Sequence, residues 1–295
     1  MSTILIYNCN NAQIRHFNFY AIDYNPKAVD FYCVCDIIII KECDFLKKII
    51  AEKLVEIERT QNVRIIHAVE SGSRAWGFAS PDSDYDVRFI YVRPLEYYLR
   101  LEQTRDVIEY QLDETLDING WDLQKALRLL YKSNPTIFEW NNSPVIYKTS
   151  PEWQRVNNII NNYYNSKHGV YHYLSMAKSN YREYLKTDIV KLKKYFYVIR
   201  PVLACKWIID KNSPPPMLFS ELCDAQLEPY MKPYIDKLLN LKINTPEISK
   251  GKRIDEVNNY IESNIDKLER TISDMPESKC NDWKALDEIF RSFLI

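Results

Sequence analysis

The chain has 295 residues, enough for two modest domains, and its 46% hydrophobic and 27% charged residues exclude a disordered or fibrous protein. With 39 basic against 40 acidic side chains there is no global pull toward nucleic acid, so any such contact must be a local patch. Seven scattered cysteines without a Cys-x-x-Cys pair argue against a disulfide framework, and no run is long and apolar enough to span a bilayer or to form a signal peptide, which makes the cytosol the expected compartment.

Residues 1 to 42 alternate short apolar and polar clusters with no sustained period and are read as an N-terminal appendage, dispensable for the rest. From Cys43 to Thr60 the residues Phe45, Leu46, Ile49, Ile50, Leu54 and Ile57 recur at helical spacing, which predicts an amphipathic helix lying on a sheet. Val63 to Val69 is the first expected core strand and Asp84 to Val92 the second.

The stretch between those strands carries two devices. Gly72-Ser73 stands where a buried strand breaks into a turn. The glycine lets backbone N–H groups converge on an anion, and the serine hydroxyl adds a donor. Ser73 to Trp76 reads as the start of a short helix, whose N-terminus also favours phosphate. Asp84 and Asp86 project to one face of the second strand, because side chains alternate, and are close enough to share divalent cations. Either device alone is common. Both within one short stretch suggest metal-assisted chemistry on a phosphate. Asp82, Asp84 and Asp86 also imitate the opening of an EF-hand loop, which would require a glycine and a terminal glutamate where this chain has Val87 and Arg93.

Further along, Val107 to Leu112 and Thr115 to Ile118 predict a hairpin around Asp113-Glu114. Trp121 to Lys132 predicts a helix capped by Asp122 or Gly120, and Pro135 and Pro151 each open a helix. Beyond Ser150 the chain reads as helical, in runs 151–164, 171–185, 188–209, 253–272 and 283–294, with Pro201 expected to kink or divide the third. His168 and His172 have metal-binding spacing but no third ligand in view, and read as polar surface or packing residues. Lys178 and the run Lys191 to Arg200 form a basic, aromatic patch in which Lys193 and Tyr197 are neighbours on a helix.

The wording GSRAWGFASPDSDYDVRFIYV, followed by GWDLQKALRLLYKSNPTIFEW, resembles the DNA polymerase β nucleotidyltransferase superfamily. Within it, the segment is similar to the nucleotidyltransferases associated with RNA ligases in bacteria, phages and large viruses, over roughly Phe45 to Ile209. The resemblance implies an α+β fold, a small mixed or antiparallel nucleotidyltransferase sheet with flanking helices (43–149) followed by an all-helical nucleotide- and substrate-binding domain (150–295). It implies Asp84, Asp86 and Asp117 as the catalytic carboxylates and ligands of Mg²⁺ or Mn²⁺. Asp122, the rival for the third place, is better explained as a helix cap.

For the nucleotide, the resemblance implies Gly72, Ser73 and Arg74 at the β- and γ-phosphates, with Lys178, Lys193, Lys194 and Tyr197 contributed by the helical domain. The implied reaction moves a nucleoside monophosphate from a nucleoside triphosphate to an acceptor hydroxyl, with an RNA end, a protein hydroxyl and a small molecule as candidate acceptors and no membrane partner. A non-catalytic nucleotide- or RNA-binding protein, or an antitoxin-like partner, is the alternative, and the presence of all three carboxylates argues against it. In a metal-free protein these carboxylates are expected to repel one another, so that Asn at 84 or 86 leaves stability intact or raises it. Aspartates paired with Arg88 would instead lose stability when neutralised.

Overall fold

In the computed structural model, which describes residues 5–6, 15–16, 32–80, 83–111, 115–244, 250–276 and 282–294, the first half of the chain runs β1 (Leu5–Ile6), β2 (Arg15–His16), α1 (Tyr32–Gln61), β3 (Arg64–Ser71), α2 (Gly72–Ala75), β4 (Tyr85–Val92), α3 (Leu95–Tyr98), β5 (Val107–Gln111), β6 (Leu116–Asp122), α4 (Leu123–Tyr131), α5 (Pro135–Asn141) and β7 (Ile146–Thr149). The second half runs α6 (Trp153–Asn157), α7 (Ser166–Tyr184), β8 (Ile189–Lys191), α8 (Phe196–Lys211), α9 (Phe219–Gln226), α10 (Lys232–Asn244), β9 (Lys250–Lys252), α11 (Asp255–Asp274) and α12 (Trp283–Phe293). Two units divide after Lys47. The first holds β1, antiparallel to β2, and the opening of α1; all that follows concerns the second. The expected appendage lies largely outside the described residues, as do Asp82 and the turn at Asp113-Glu114.

Five strands form one mixed sheet in the order β5-β6-β4-β3-β7, parallel between β4 and β6 and antiparallel elsewhere. Alternation along β4 explains its layers. Val87, Phe89 and Tyr91 face α1, where they bury against Ile50, Leu54 and Ile57. Ile90 and Val92 face the other way, into a cluster with Leu123, Leu127 and Trp140 of α4 and α5. Asp86 and Arg88 share the parity of Ile90, so one sheet face is apolar at one end and charged at the other. The last helix, α12, returns to this layer through Leu286 and Phe293. A second core joins α7, α8, α9 and α11, and Phe78, from the loop after α2, inserts into it.

Local chemistry sets the element ends. Asn134 accepts from the Thr136 N–H with Pro135 at the first helical position, and Asp122 accepts from the Gln124 N–H, so Asp122 is the cap of α4 and β6 runs on through Gly120. The expected helix over 188–209 is divided before its start rather than at Pro201. Residues 189–191 pair with β9 as a small sheet, a 3₁₀ turn follows, and α8 continues through Pro201.

Gly120 is where the sheet leaves no room for a side chain, since a Cβ there would stand 2.2 Å from the ring of the fully buried Phe89. Gly120→Ala must displace that ring from the α1 face. It is expected to cost about 1–3 kcal/mol of unfolding free energy, read by urea denaturation, with Gly77→Ala as a control whose main penalty is its positive φ.

Candidate active site

The parallel pairing of β4 with β6 places Asp86 directly opposite Asp117, on the same sheet face, while the antiparallel pairing with β3 places Ser71 on the other side of Asp86. Asp117 and Asp122 have opposite parity along β6, so only Asp117 joins this row, and Asp122 is buried where it caps α4 and accepts from the Tyr98 hydroxyl at 2.9 Å. Asp84 stands exposed just before β4, close enough for its charge to act on Asp86.

Gly72 follows Ser71 with φ +65°, and a Cβ on it would lie 2.2 Å from Asp86 Oδ2. The glycine is required twice, by its backbone and by the carboxylate pressed against it. Its helix α2 is a single turn, so what it offers an anion is its leading N–H groups rather than a summed dipole. Arg74 does not point away from this turn. Its Nη2 donates to the Ser83 carbonyl at 2.6 Å, its Nε to the Asp84 carbonyl at 3.1 Å, and its guanidinium lies 3.6 Å above the Tyr85 ring. Ser80 and Ser83 close the same loop through their hydroxyls at 2.8 Å. Arg74 therefore fastens the strand that carries the aspartates to the Gly72-Ser73 turn.

Asp86 feels the expected repulsion from Asp117 and Asp84, but Asp86 and Asp117 are also paired with Arg88. Arg88 Nη2 donates to Asp86 Oδ1 at 3.0 Å and to Asp117 Oδ2 at 2.8 Å, and its Nη1 donates to the carbonyls of Val87 and Asp117, both at 3.1 Å. Burial still pushes the Asp86 carboxyl up. Arg88 opposes the rise, and the charges of Asp117 and Asp84 add to it.

Beneath the row lies a residue that the sequence reading missed. Glu70 is 1% exposed at the end of β3, accepts from the Asp86 backbone N–H at 2.8 Å through Oε1, and accepts from the Tyr147 hydroxyl at 2.5 Å through Oε2. The Ser143 hydroxyl holds its carbonyl at 2.6 Å. Burial raises its carboxyl to about 7. Its sequence signal is a carboxylate that directly continues the buried run Ile65 to Val69. Arg88 had a signal too, being the third residue in alternation after Asp84 and Asp86.

The expected nucleotide residues of the helical part separate. Lys194 lies 4.1 Å from the Tyr184 ring and 4.6 Å from the Tyr197 ring, and Tyr197 meets Trp76, the residue that ends α2, edge-on at 5.8 Å. Lys193 stands in the 3₁₀ turn before α8, and the Lys178 ammonium is paired with Glu269 of α11. Trp76 is also stacked by Arg200, 4.7 Å away, which forms an ion pair with Glu139 at 3.0 Å. His168 reaches the Lys132 carbonyl at 3.4 Å and His172 abuts Tyr173, so this spacing makes no metal pair.

The profile of a family described as RNA repair pathway DNA polymerase beta family (RlaP) matches residues 46–292. An uncharacterized protein of Bacillus subtilis (strain 168), YcgL, is 42% identical over 236 residues, covering 79% of this chain and 91% of that protein. A solved nucleotidyltransferase-like protein from Exiguobacterium sibiricum is 13% identical over 77% of this chain and 74% of its own, with a TM-score of 0.28, too low to carry an argument.

Glu70 makes a pH prediction whose sign is fixed by burial. A carboxyl raised from 4.5 to about 7 keeps its proton in the folded state while the unfolded chain releases it, so stability falls as pH rises from about 4.5 to 7, by on the order of 3 kcal/mol. Buried His67, lowered to about 4 and stacked on Trp153, acts oppositely between about 4 and 6.5. The difference between wild type and Glu70→Gln, which keeps an acceptor for the Asp86 N–H, isolates the first effect. Urea unfolding from pH 4.5 to 8 is expected to show the variant gaining steadily on wild type as pH rises, and a constant difference would contradict the assignment.

Proposed function

The chain belongs to the RNA repair pathway DNA polymerase beta family, and from that membership and the row of carboxylates we propose that it is a divalent-metal-dependent nucleotidyltransferase acting on an RNA end. The observation that carries this reading is the convergence of Asp86 Oδ1 and Asp117 Oδ2 on one cationic nitrogen, at 3.0 and 2.8 Å, beside the Gly72-Ser73 turn. Two carboxylates that already share one cation present the hard oxygen donors that Mg²⁺ or Mn²⁺ takes. Among the described residues no closed cluster of three His, Cys, Asp or Glu surrounds such a point. Magnesium commonly takes one or two carboxylates and completes its shell with water and substrate phosphate, so this open arrangement fits it.

Asp86 and Asp117 would hold the metal, with Asp84 beside them adding negative charge, and the metal when bound would supply Lewis-acid activation of the phosphate and of the acceptor hydroxyl. Asp117, half exposed at the edge of the row, would take the acceptor's proton. Gly72 and Ser73, with Arg74 beside them, would hold the β- and γ-phosphates, which leave as pyrophosphate. Lys194 and Tyr197, joined to α2 through Trp76, are the helical residues best placed to meet the triphosphate, with Lys193 on the preceding turn and Lys178 further out. The family description, with its RNA repair pathway, favours an RNA end over a protein or small-molecule acceptor.

The test supplies each α-labelled nucleoside triphosphate with Mg²⁺ and, in separate arms, an RNA with a free 3′ hydroxyl, a bystander protein and no acceptor. Label is expected on the RNA. Asp86→Asn and Asp117→Asn should lower transfer by about a hundredfold or more, and Asp122→Asn should lower stability while sparing transfer. A fully active Asp86→Asn protein would end this reading, and label on protein alone would replace its acceptor.

A further inference from the structure

Arg88 is the least expected member of the acidic row. Its four hydrogen bonds go to two carboxylates and two main-chain carbonyls, which leaves its Nη1 and Nη2 engaged on the inner side of the row. The side chain is 18% exposed, against 32% for Asp86 and 50% for Asp117, so the guanidinium lies deeper than the carboxylates it joins and their outer edges face solvent. A guanidinium in that place cancels part of the charge that draws a divalent cation to the row. It also engages one oxygen of each carboxylate, Asp86 Oδ1 and Asp117 Oδ2, and so competes with a cation for them. A second positive charge a few ångströms away is repelled by it.

We propose that Arg88 is the resident counter-ion of the site, holding Asp86 and Asp117 in place when no metal is bound and giving them up as metal and triphosphate arrive together. This rests on the nucleotidyltransferase reading. The triphosphate matters because it is the anion that can receive the displaced guanidinium. Metal alone then binds against Arg88, and metal with nucleotide binds without that opposition, which couples the two ligands. The arrangement keeps the row folded and neutralised between turnovers and makes it a poor trap for stray cations.

The experiment measures Mn²⁺ binding by electron paramagnetic resonance and calorimetry, with and without a non-hydrolysable triphosphate, for wild type, Arg88→Gln, Arg88→Lys and Asp86→Asn, together with the melting temperature of each. Arg88→Gln is expected to bind Mn²⁺ alone at least tenfold more tightly than wild type, to melt lower without metal, and to lose most of the enhancement that the triphosphate gives. Arg88→Lys, which keeps the charge but not the fork, should fall between and carries the test if the glutamine variant does not fold. Unchanged or weaker Mn²⁺ binding in both Arg88 variants, with wild-type binding that Asp86→Asn removes, would overturn the counter-ion role and leave the proposed function standing. No Mn²⁺ binding sensitive to Asp86→Asn, even with triphosphate, would sink the metal reading and this inference with it.

Discussion

The in-register parallel pairing of β4 and β6 is the constraint on which the site depends. It sets Asp86 against Asp117 across adjacent strands, where two ionised carboxylates at close range are unfavourable unless something positive stands between them. Arg88 does so from the same strand as Asp86. Parallel pairing needs a long crossover, and the chain uses it to carry α3 and β5 before returning β6 antiparallel to β5, so the acidic row lies in the middle of the sheet rather than at its edge.

Support for the row comes from two directions. From below, Glu70 grips the Asp86 backbone and is itself held by Tyr147 and Ser143. From the side, the turn that presents Gly72 continues into Trp76 and Phe78, which are fixed among the helices. Phe78 packs on Phe196 and Phe219, and Trp76 is stacked by Arg200. Neither Trp76 Nε1 nor Arg200 Nε has a hydrogen-bond partner among the described residues, so stacking and the Arg200–Glu139 ion pair, rather than a hydrogen bond between them, hold this junction. The Gly72-Ser73 turn thus takes its position from both layers.

Much of this was legible in sequence because it follows from period. Alternation put Asp86 on the face of β4 opposite Val87 and Phe89, although the strand begins at Tyr85 and leaves Asp84 before it, and helical spacing found α1 from Ile49 to Ile57, although the helix begins at Tyr32 and not at Cys43. Parity also separates Asp117 from Asp122, but only once β6 is known to run through Gly120, which the glycine itself obscured. What escaped were facts of tertiary placement. Glu70 reads like any polar end of a strand until Tyr147, far along the chain, is seen to cover it. The short pairing of β8 with β9 joins three-residue strands rich in lysine, separated by α8, α9 and α10, and no local pattern announces it. Arg200 sits in an apolar helix, where its charge makes sense only beside Glu139 and Trp76.

The distribution of apolar and charged positions on one sheet face explains why the site is where it is. Along β4 and β6, Ile90, Val92 and Trp121 are covered by α4, α5 and α12, because leaving them bare would forfeit their burial. Asp86, Arg88 and Asp117 occupy the other end of the same face, where covering them with helices would strand charges without water. The boundary between the two is a few residues wide. A sheet that alternates cleanly across its thickness but changes character along its length has a closed end and an open end on one face, and charged side chains can meet a ligand from solvent only at the open one.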